Sequence, residues 1–186
     1  MFRLFSIIVL KILGWKIKNA IPPGTKKCVI IVAPHTSNMD FVIGRLAYGA
    51  MGVKVRFLIK KEAFKFPMGG LLKLLGGIPV DRGRNNRMVE HVAKLFDKHK
   101  SFYVVITPEG TRKANANWKK GFWHIAEKTG LPIALAFIDY EHKRGGVDRL
   151  MYPSADIEAD MLEIKKFYMQ FKGRNPEMFR TGLEKS

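Results

Sequence analysis

The sequence predicts a single α/β domain: a mostly parallel or mixed central sheet flanked by helices, with an amphipathic helix at its N-terminus. Three observations carry this. Short continuous apolar runs rich in β-branched residues, KCVIIVA (27–33) and SFYVVIT (101–107), read as strands buried on both faces. Such runs alternate with segments of helical spacing, the pattern of a largely parallel sheet covered by helices. The 186 residues contain no internal repeat and no flexible linker, so the chain builds one core. Residues 1–20 are expected to be the N-terminal helix and 21–186 the folded domain.

The elements follow in order. Leu4 to Leu10 is apolar but interrupted at Lys11, well short of the ~20 residues that span a bilayer. No small-residue cleavage site follows it, so a signal peptide is not expected either. On a helical wheel Arg3, Lys11 and Lys18 fall together, with Phe2, Phe5, Val9, Ile12 and Leu13 opposite. Lys16 departs from this division near the helix end, where a long stem can snorkel. Two readings fit this helix: it lies in a lipid interface, or it packs on the domain. Ile21-Pro22-Pro23-Gly24 then turns the chain. Strand 27–33 leads through a loop to a helix at 38–51, then a strand at 54–59. The apolar segment 63–75 reads as helical, broken by Pro67 and Gly69-Gly70. A brief strand (77–80), a helix (86–98), a strand (101–107), a helix (121–129), a strand (131–138) and a final helix (156–171) complete the chain. The final helix is acidic first and basic later, which suits its dipole.

Composition bounds the function. Lys and Arg number 33 against 16 Asp and Glu, a formal net charge of +17. Such a surface attracts polyanions: nucleic acid, anionic membrane or an acidic carrier protein. A single cysteine excludes a disulfide framework and a Cys-rich zinc site. Cys28 lies in an apolar run, where burial is expected, and a lone thiol suits a reducing compartment. His91, His99, His124 and His142 lack partners at metal-ligand spacing, and no HExxH occurs, so no metal is expected.

Ligands of open α/β sheets bind beyond the carboxyl ends of the strands, which directs attention to three loops. The first holds His35-Thr36-Ser37-Asn38-Met39-Asp40. On a continuous helix His35 and Asp40 would stand about 140° apart, but in a loop-to-helix turn the carboxylate can reach back. It would fix one imidazole nitrogen as a donor and leave the other as a base for a hydroxyl proton. Alternatively, Ser37-x-x-Asp40 resembles a capping box, with Ser37 as N-cap and Asp40 merely capping. The second loop holds Asp81-Arg82-Gly83-Arg84. The third holds Glu109-Gly110-Thr111-Arg112. There the glycine permits close backbone approach and the arginine offers a planar fork for phosphate. Glu109 can orient Arg112 or an acceptor hydroxyl. An ordinary strand-to-helix loop with a surface ion pair is the other reading.

HTSNMD, then IPVDRG, TPEGTR and LPIALA, in this order and each beside an apolar strand, resemble the four blocks of the glycerophospholipid acyltransferases. The best-known members are the 1-acylglycerol-3-phosphate acyltransferases. Lys120-Gly121 stands where that family has a Lys-Gly pair before a helix, whereas Thr107 replaces its usual aromatic residue. The resemblance runs from about Cys28 to Ala136 and makes 21–186 an acyltransferase domain. It implies transfer of a fatty acyl group from a thioester, on acyl carrier protein or coenzyme A, to the hydroxyl of a lysophospholipid. His35 is then the general base and Asp40 its orienting partner. Arg82 contacts an anionic head, and Glu109, Gly110, Thr111 and Arg112 form the acceptor site. The thioester is a co-substrate, with no cofactor and no acyl-enzyme expected.

With this resemblance, the charge and the N-terminal helix describe a peripheral or monotopic enzyme. It is expected on the cytoplasmic face of the cell membrane, with its basic surface at the headgroups. The segment 64–75 is a candidate acyl groove or second membrane contact, or else core. Trp118, Phe122 and Trp123 read as an interfacial belt or as packing. Asp139, Glu141 and His142 form a polar cluster after a strand, without an assigned role. An amino-acid-derived lipid is an alternative acceptor. A nucleic-acid-binding module would explain the charge but not the motifs, and it shows no zinc-finger or RNP-type pattern, so nucleic acid is not expected. Ser37 as acyl nucleophile lacks a nucleophile-elbow sequence.

Overall fold

The apolar run Lys27–Ala33 is the centre of the sheet in the computed structural model, which describes residues 1–65, 67–81 and 85–184. The elements are α1 (Phe2–Ile12), β1 (Lys16–Lys18), β2 (Lys27–Ala33), α2 (Met39–Met51), β3 (Val55–Lys60), α3 (Met68–Leu74) and β4 (Gly77–Val80). They continue with α4 (Asn85–Lys98), β5 (Phe102–Ile106), α5 (Gly121–Thr129), β6 (Ile133–Asp139), β7 (Arg144–Met151) and α6 (Ile157–Tyr168). Seven strands lie in the order β1-β7-β6-β2-β5-β3-β4. Every pairing is parallel except β6 with β7, so the sheet is mixed, within the single α/β domain expected. β2 lies between β5 and β6, and the loops at their carboxyl ends are therefore neighbours in space.

Both faces of the sheet are covered. On one, Cys28, Ile30, Val105 and Ala136 pack with Tyr48 of α2. On the other, Val29, Ile31 and Val104 pack against α4, α5 and α6. Trp118, Phe122 and Trp123 are buried in this second layer, so they are core rather than an interfacial belt. The Tyr168 hydroxyl sits 3.0 Å from the Ile31 carbonyl and 2.8 Å from that of Ala136, tying α6 to the two central strands. At the start of α6, the Asp156 side chain accepts the N–H groups of Glu158 and Ala159.

Two strands escape the sequence pattern. β1 has only three residues, and β7 (RGGVDRLM) opens on two glycines and carries charges. The N-terminal helix is correspondingly shorter than residues 1–20. It ends at Ile12, Gly14 turns the chain at φ +76°, and Lys16–Lys18 pair with β7. Lys18 therefore belongs to the sheet and not to the helical wheel. The segment 63–75 is also divided: a 3-10 turn, Lys61–Phe64, precedes α3.

α1 has two apolar faces. Ser6 and Leu10 are buried against α2, with Val9 half-buried beside them. Leu4, Phe5, Ile8 and Ile12 are exposed, and at 100° per residue they fall within about 100° of arc. The contact with α2 is close: a Cβ at Gly49 would lie 2.4 Å from Ser6 Oγ and 2.5 Å from a Phe2 ring carbon. Gly49→Val should therefore push α1 off α2 at an overpacking cost of about 1–3 kcal/mol. That is a fall of roughly 2–10 °C in the thermal midpoint. An unchanged midpoint would show that α1 is not held by this contact.

Candidate active site

β2 ends at Ala33, and the chain crosses Pro34–Asn38 to enter α2 at Met39. Asp40 lies in the first turn, where an acidic side chain is favoured by the exposed N–H groups of the helix start. Its carboxylate is buried and reaches back over the loop. Oδ2 accepts the N–H of Thr36 at 2.8 Å and of Ser37 at 2.8 Å, and lies 3.1 Å from His35 Nδ1. Oδ1 accepts the Tyr140 hydroxyl at 2.8 Å. Capping the loop and orienting the histidine are thus one arrangement, carried by the same oxygen. Because a carboxylate only accepts, His35 Nδ1 is the donor in this contact. Asn38 rather than Ser37 is the N-cap residue, although Ser37 Oγ does accept the Met39 N–H at 3.2 Å.

Glu109, in the loop after β5, is 1% exposed and does something the sequence did not suggest. Its Oε1 accepts the backbone N–H of His35 at 2.7 Å, so it holds the histidine's main chain rather than Arg112. Burial pushes its carboxyl from the ordinary 4.5 up to about 8; the His35 N–H opposes this and the Asp40 charge adds to it. Asn115 Nδ2 donates to the Glu109 carbonyl at 2.9 Å and stabilises the loop. Gly110 takes φ +69°, with its N–H bonded to the Thr107 carbonyl at 3.1 Å. A Cβ there would lie 3.1 Å from Lys119 Cγ. The positive φ favours glycine at this turn, and a side chain there would also have to displace Lys119 slightly. Thr111 Oγ1 accepts the Lys113 N–H at 3.2 Å. Arg112 donates to Asn38 Oδ1, which brings its exposed guanidinium to the His35 loop. His35, Asp40, Glu109 and Arg112 therefore converge as expected. Arg82 lies outside the described residues; beside it, Asp81 pairs with Lys61 at 2.7 Å.

A cavity of about 380 Å³ opens beside this group, within the ~300–1,000 Å³ of small-molecule sites. His35, Asn38, Asp40 and Arg112 border it, while Phe41, Ile43, Ala47, Tyr48 and Phe57 supply apolar wall. Among the described residues of the candidate groove segment 64–75, only Leu72 lines the cavity; Met68, Leu71 and Leu74 are exposed. The wall comes from α2 and the sheet because α3 lies at the far edge with β4.

Three contributors were not legible as site residues. Tyr140 lies 100 residues from Asp40, next to the unassigned polar cluster. Asn175 clamps the loop, its N–H donating to Thr36 Oγ1 at 3.1 Å and its Nδ2 to the Thr36 carbonyl at 2.9 Å. Asn38, the partner of Arg112, stands inside the first motif but has no independent signal. The cluster itself brings ligand atoms of Asp139, Glu141 and His142 within 4.8 Å of one another. Its carboxylates are already paired: Asp139 with Arg144 and His142, both at 2.8 Å, and Glu141 with Lys172. Cys28 is fully buried, and burial pushes its thiol up to about 12, so it is no nucleophile.

His35, held through Nδ1 at the carboxyl edge of the sheet, thus stands beside an apolar cavity. The sequence profile of the Acyltransferase family matches residues 16–137, and the chain belongs to that family. The 1-acyl-sn-glycerol-3-phosphate acyltransferase of Limnanthes douglasii is 32% identical over 145 residues, covering 73% of this chain and 49% of that protein. The enzyme of the same name from Limnanthes alba is 33% identical over 128 residues, covering 63% and 43%. The chain thus spans about half the length of these relatives. The crystal structure of the 1-acyl-sn-glycerophosphate (LPA) acyltransferase PlsC from Thermotoga maritima shares the fold. Its TM-score is 0.64 at 18% identity, over 90% of this chain and 75% of that one.

The Glu109 carboxyl gives a pH test. Unfolded, it ionises near 4.5; folded, it holds its proton to about 8. The folded state binds more protons across that window, so this group's contribution to stability falls as pH rises through it. Glu109→Gln keeps an oxygen acceptor for the His35 N–H and cannot ionise. Its stability relative to wild type should rise between pH 4.5 and 8, on the order of a few kcal/mol in total. Parallel stability curves for the two proteins would show that Glu109 titrates normally.

Proposed function

We propose that this protein transfers a fatty acyl group from a thioester donor to the hydroxyl of a lysophospholipid such as 1-acylglycerol-3-phosphate. One observation carries the reading: the His35–Asp40 pair at 3.1 Å borders an apolar cavity in a chain of the Acyltransferase family. In the reaction, His35 Nε2 takes the acceptor's hydroxyl proton as its oxygen attacks the thioester carbonyl. The C–S bond of the tetrahedral intermediate then breaks, and the imidazolium returns the proton to the departing thiolate. An ester and a free thiol result. Asp40 keeps Nδ1 protonated throughout and balances the imidazolium charge. The acyl chain occupies the cavity against Phe41, Tyr48 and Phe57. Arg112, at its polar rim, pairs with the acceptor's phosphate, and Arg82 is assigned to the same anionic head. The donor is an acyl carrier protein or coenzyme A thioester, both of which present phosphate to the basic protein.

Membrane attachment belongs to the same reading. Among the described residues no helix is long and apolar enough to cross a membrane. The exposed stripe of Leu4, Phe5, Ile8 and Ile12, together with a net charge of +17, fits an anionic leaflet. The protein then works on the cytoplasmic face of the cell membrane, where its amphiphilic acceptor resides.

Two experiments test this. His35→Ala should lower acyl transfer by at least about 10²-fold with its thermal midpoint preserved, whereas near-normal turnover would remove His35 as base. The double variant Phe5→Asp, Ile8→Asp changes only exposed positions of α1. It should weaken binding to anionic vesicles at least about tenfold, since each lost apolar side chain is worth roughly 1.5–3 kcal/mol. Undiminished vesicle binding would mean that α1 is not the anchor.

A further inference from the structure

We propose that Tyr140 is a positioning residue for acyl transfer, its hydroxyl locking Asp40 in the orientation that gives His35 a single tautomer. The proposal rests on the reading of His35 as general base. Asp40 Oδ2 serves three donors: His35 Nδ1, the Thr36 N–H and the Ser37 N–H. Oδ1 has Tyr140 as its hydrogen-bond donor, at 2.8 Å. The terminal torsion of an aspartate is soft, so the plane of the carboxylate could otherwise swing away from His35 Nδ1. With Oδ1 held, Oδ2 stays on the histidine side of the loop.

Tyr140 is itself fixed from two directions. Its backbone N–H donates to the Lys172 carbonyl at 2.9 Å. Its ring meets Trp15 edge-on, with centroids 5.0 Å apart and planes at 90°. Trp15 follows α1, and Lys172 belongs to the segment that also clamps Thr36 through Asn175. Trp15 thus meets the Tyr140 ring and Lys172 its main chain. Burial, the Asp40 charge and the hydrogen bond to Asp40 all raise the phenol far above its ordinary range, with the Arg174 charge opposing. The hydroxyl is therefore a permanent donor. Among the described residues, the charged or titratable groups around this arrangement include His35, Glu109, whose carboxyl feels the Asp40 charge, and Arg174.

Tyr140→Phe tests this, because it keeps the ring and its contact with Trp15 while deleting only the oxygen. Two measurements are made on wild type, Tyr140→Phe and His35→Ala. One is the pH profile of acyl transfer from palmitoyl-coenzyme A to 1-oleoylglycerol 3-phosphate. The other is the ¹⁵N NMR signature of the His35 ring, which needs no turnover. Tyr140→Phe should lower kcat at least about tenfold, the lower end for one hydrogen bond to a charged group, with little change in either KM. With the carboxylate no longer held in place, it supports the imidazolium less well, so the acidic limb of the profile should move to lower pH. The ring should lose its pure Nδ1–H form. A Tyr140→Phe protein with the wild-type tautomer and an unmoved acidic limb overturns the proposal, whatever its thermal midpoint. The two readings fail separately. If His35→Ala is inactive and Tyr140→Phe matches wild type, the base stands and the positioning role falls. If His35→Ala is active while Tyr140→Phe still disturbs the His35 ring, the positioning stands and the base falls.

Discussion

The Asp40 carboxylate is where the structure's constraints meet. It lies buried at the start of α2 and is stable there only because both oxygens are hydrogen-bonded. Those bonds also close the loop after β2 and face one nitrogen of His35 away from solvent. The sheet order makes this possible. β2 has β5 and β6 as its parallel neighbours, so their carboxyl ends flank its own. The loop after β5 sends Glu109 to the His35 main chain, and the residue after β6 sends Tyr140 to Asp40. One histidine is thus fixed by three adjacent strand ends, the kind of support from rigid elements that a site of defined geometry needs.

The molecule also separates its tasks by face. α4, α5 and α6 cover one side of the sheet with a large aromatic core that includes Trp118, Phe122, Trp123 and Tyr168. The other side carries α2, the cavity beside it and α1 on top. Exposed Leu4, Phe5, Ile8 and Ile12 therefore stand in the layer that also contains the cavity. Under the proposed function, an acceptor drawn from a leaflet would enter from the layer that touches it, while the opposite layer supplies stability.

Much of this was legible in the sequence, for physical reasons. β2, β5 and β6 are buried on both faces, so their apolar runs are continuous, and the motifs stand at their ends. α2 and α5 appear within a residue or two of the positions read from spacing. β1 and β7 were not legible: three residues of KIK make no pattern, and β7 is held by its pairing with β6 rather than by composition. The helix at the N-terminus was overextended because Lys18 continues a plausible wheel, while Gly14 and the pairing with β7 override it. Within the candidate site, the positions of the motifs at strand ends anticipated that His35, Asp40, Glu109 and Arg112 would lie near one another, but not the partner of Glu109. A side chain bonded to a main-chain N–H 74 residues away leaves no trace in the sequence. The same holds for Tyr140 and Asn175.

The central claim is that His35 activates the acceptor hydroxyl itself. The most direct measurement follows thiol release and lipid product together, for wild-type protein with a palmitoyl thioester and 1-oleoylglycerol 3-phosphate on anionic vesicles. Both substrate concentrations are varied, and peptides are mapped after exposure to donor alone. The account expects one phosphatidate per thiol released, intersecting initial-rate patterns, and no acyl group on Thr36 or Ser37. Parallel patterns, with a stoichiometric acyl adduct on either residue that acceptor discharges, would contradict it.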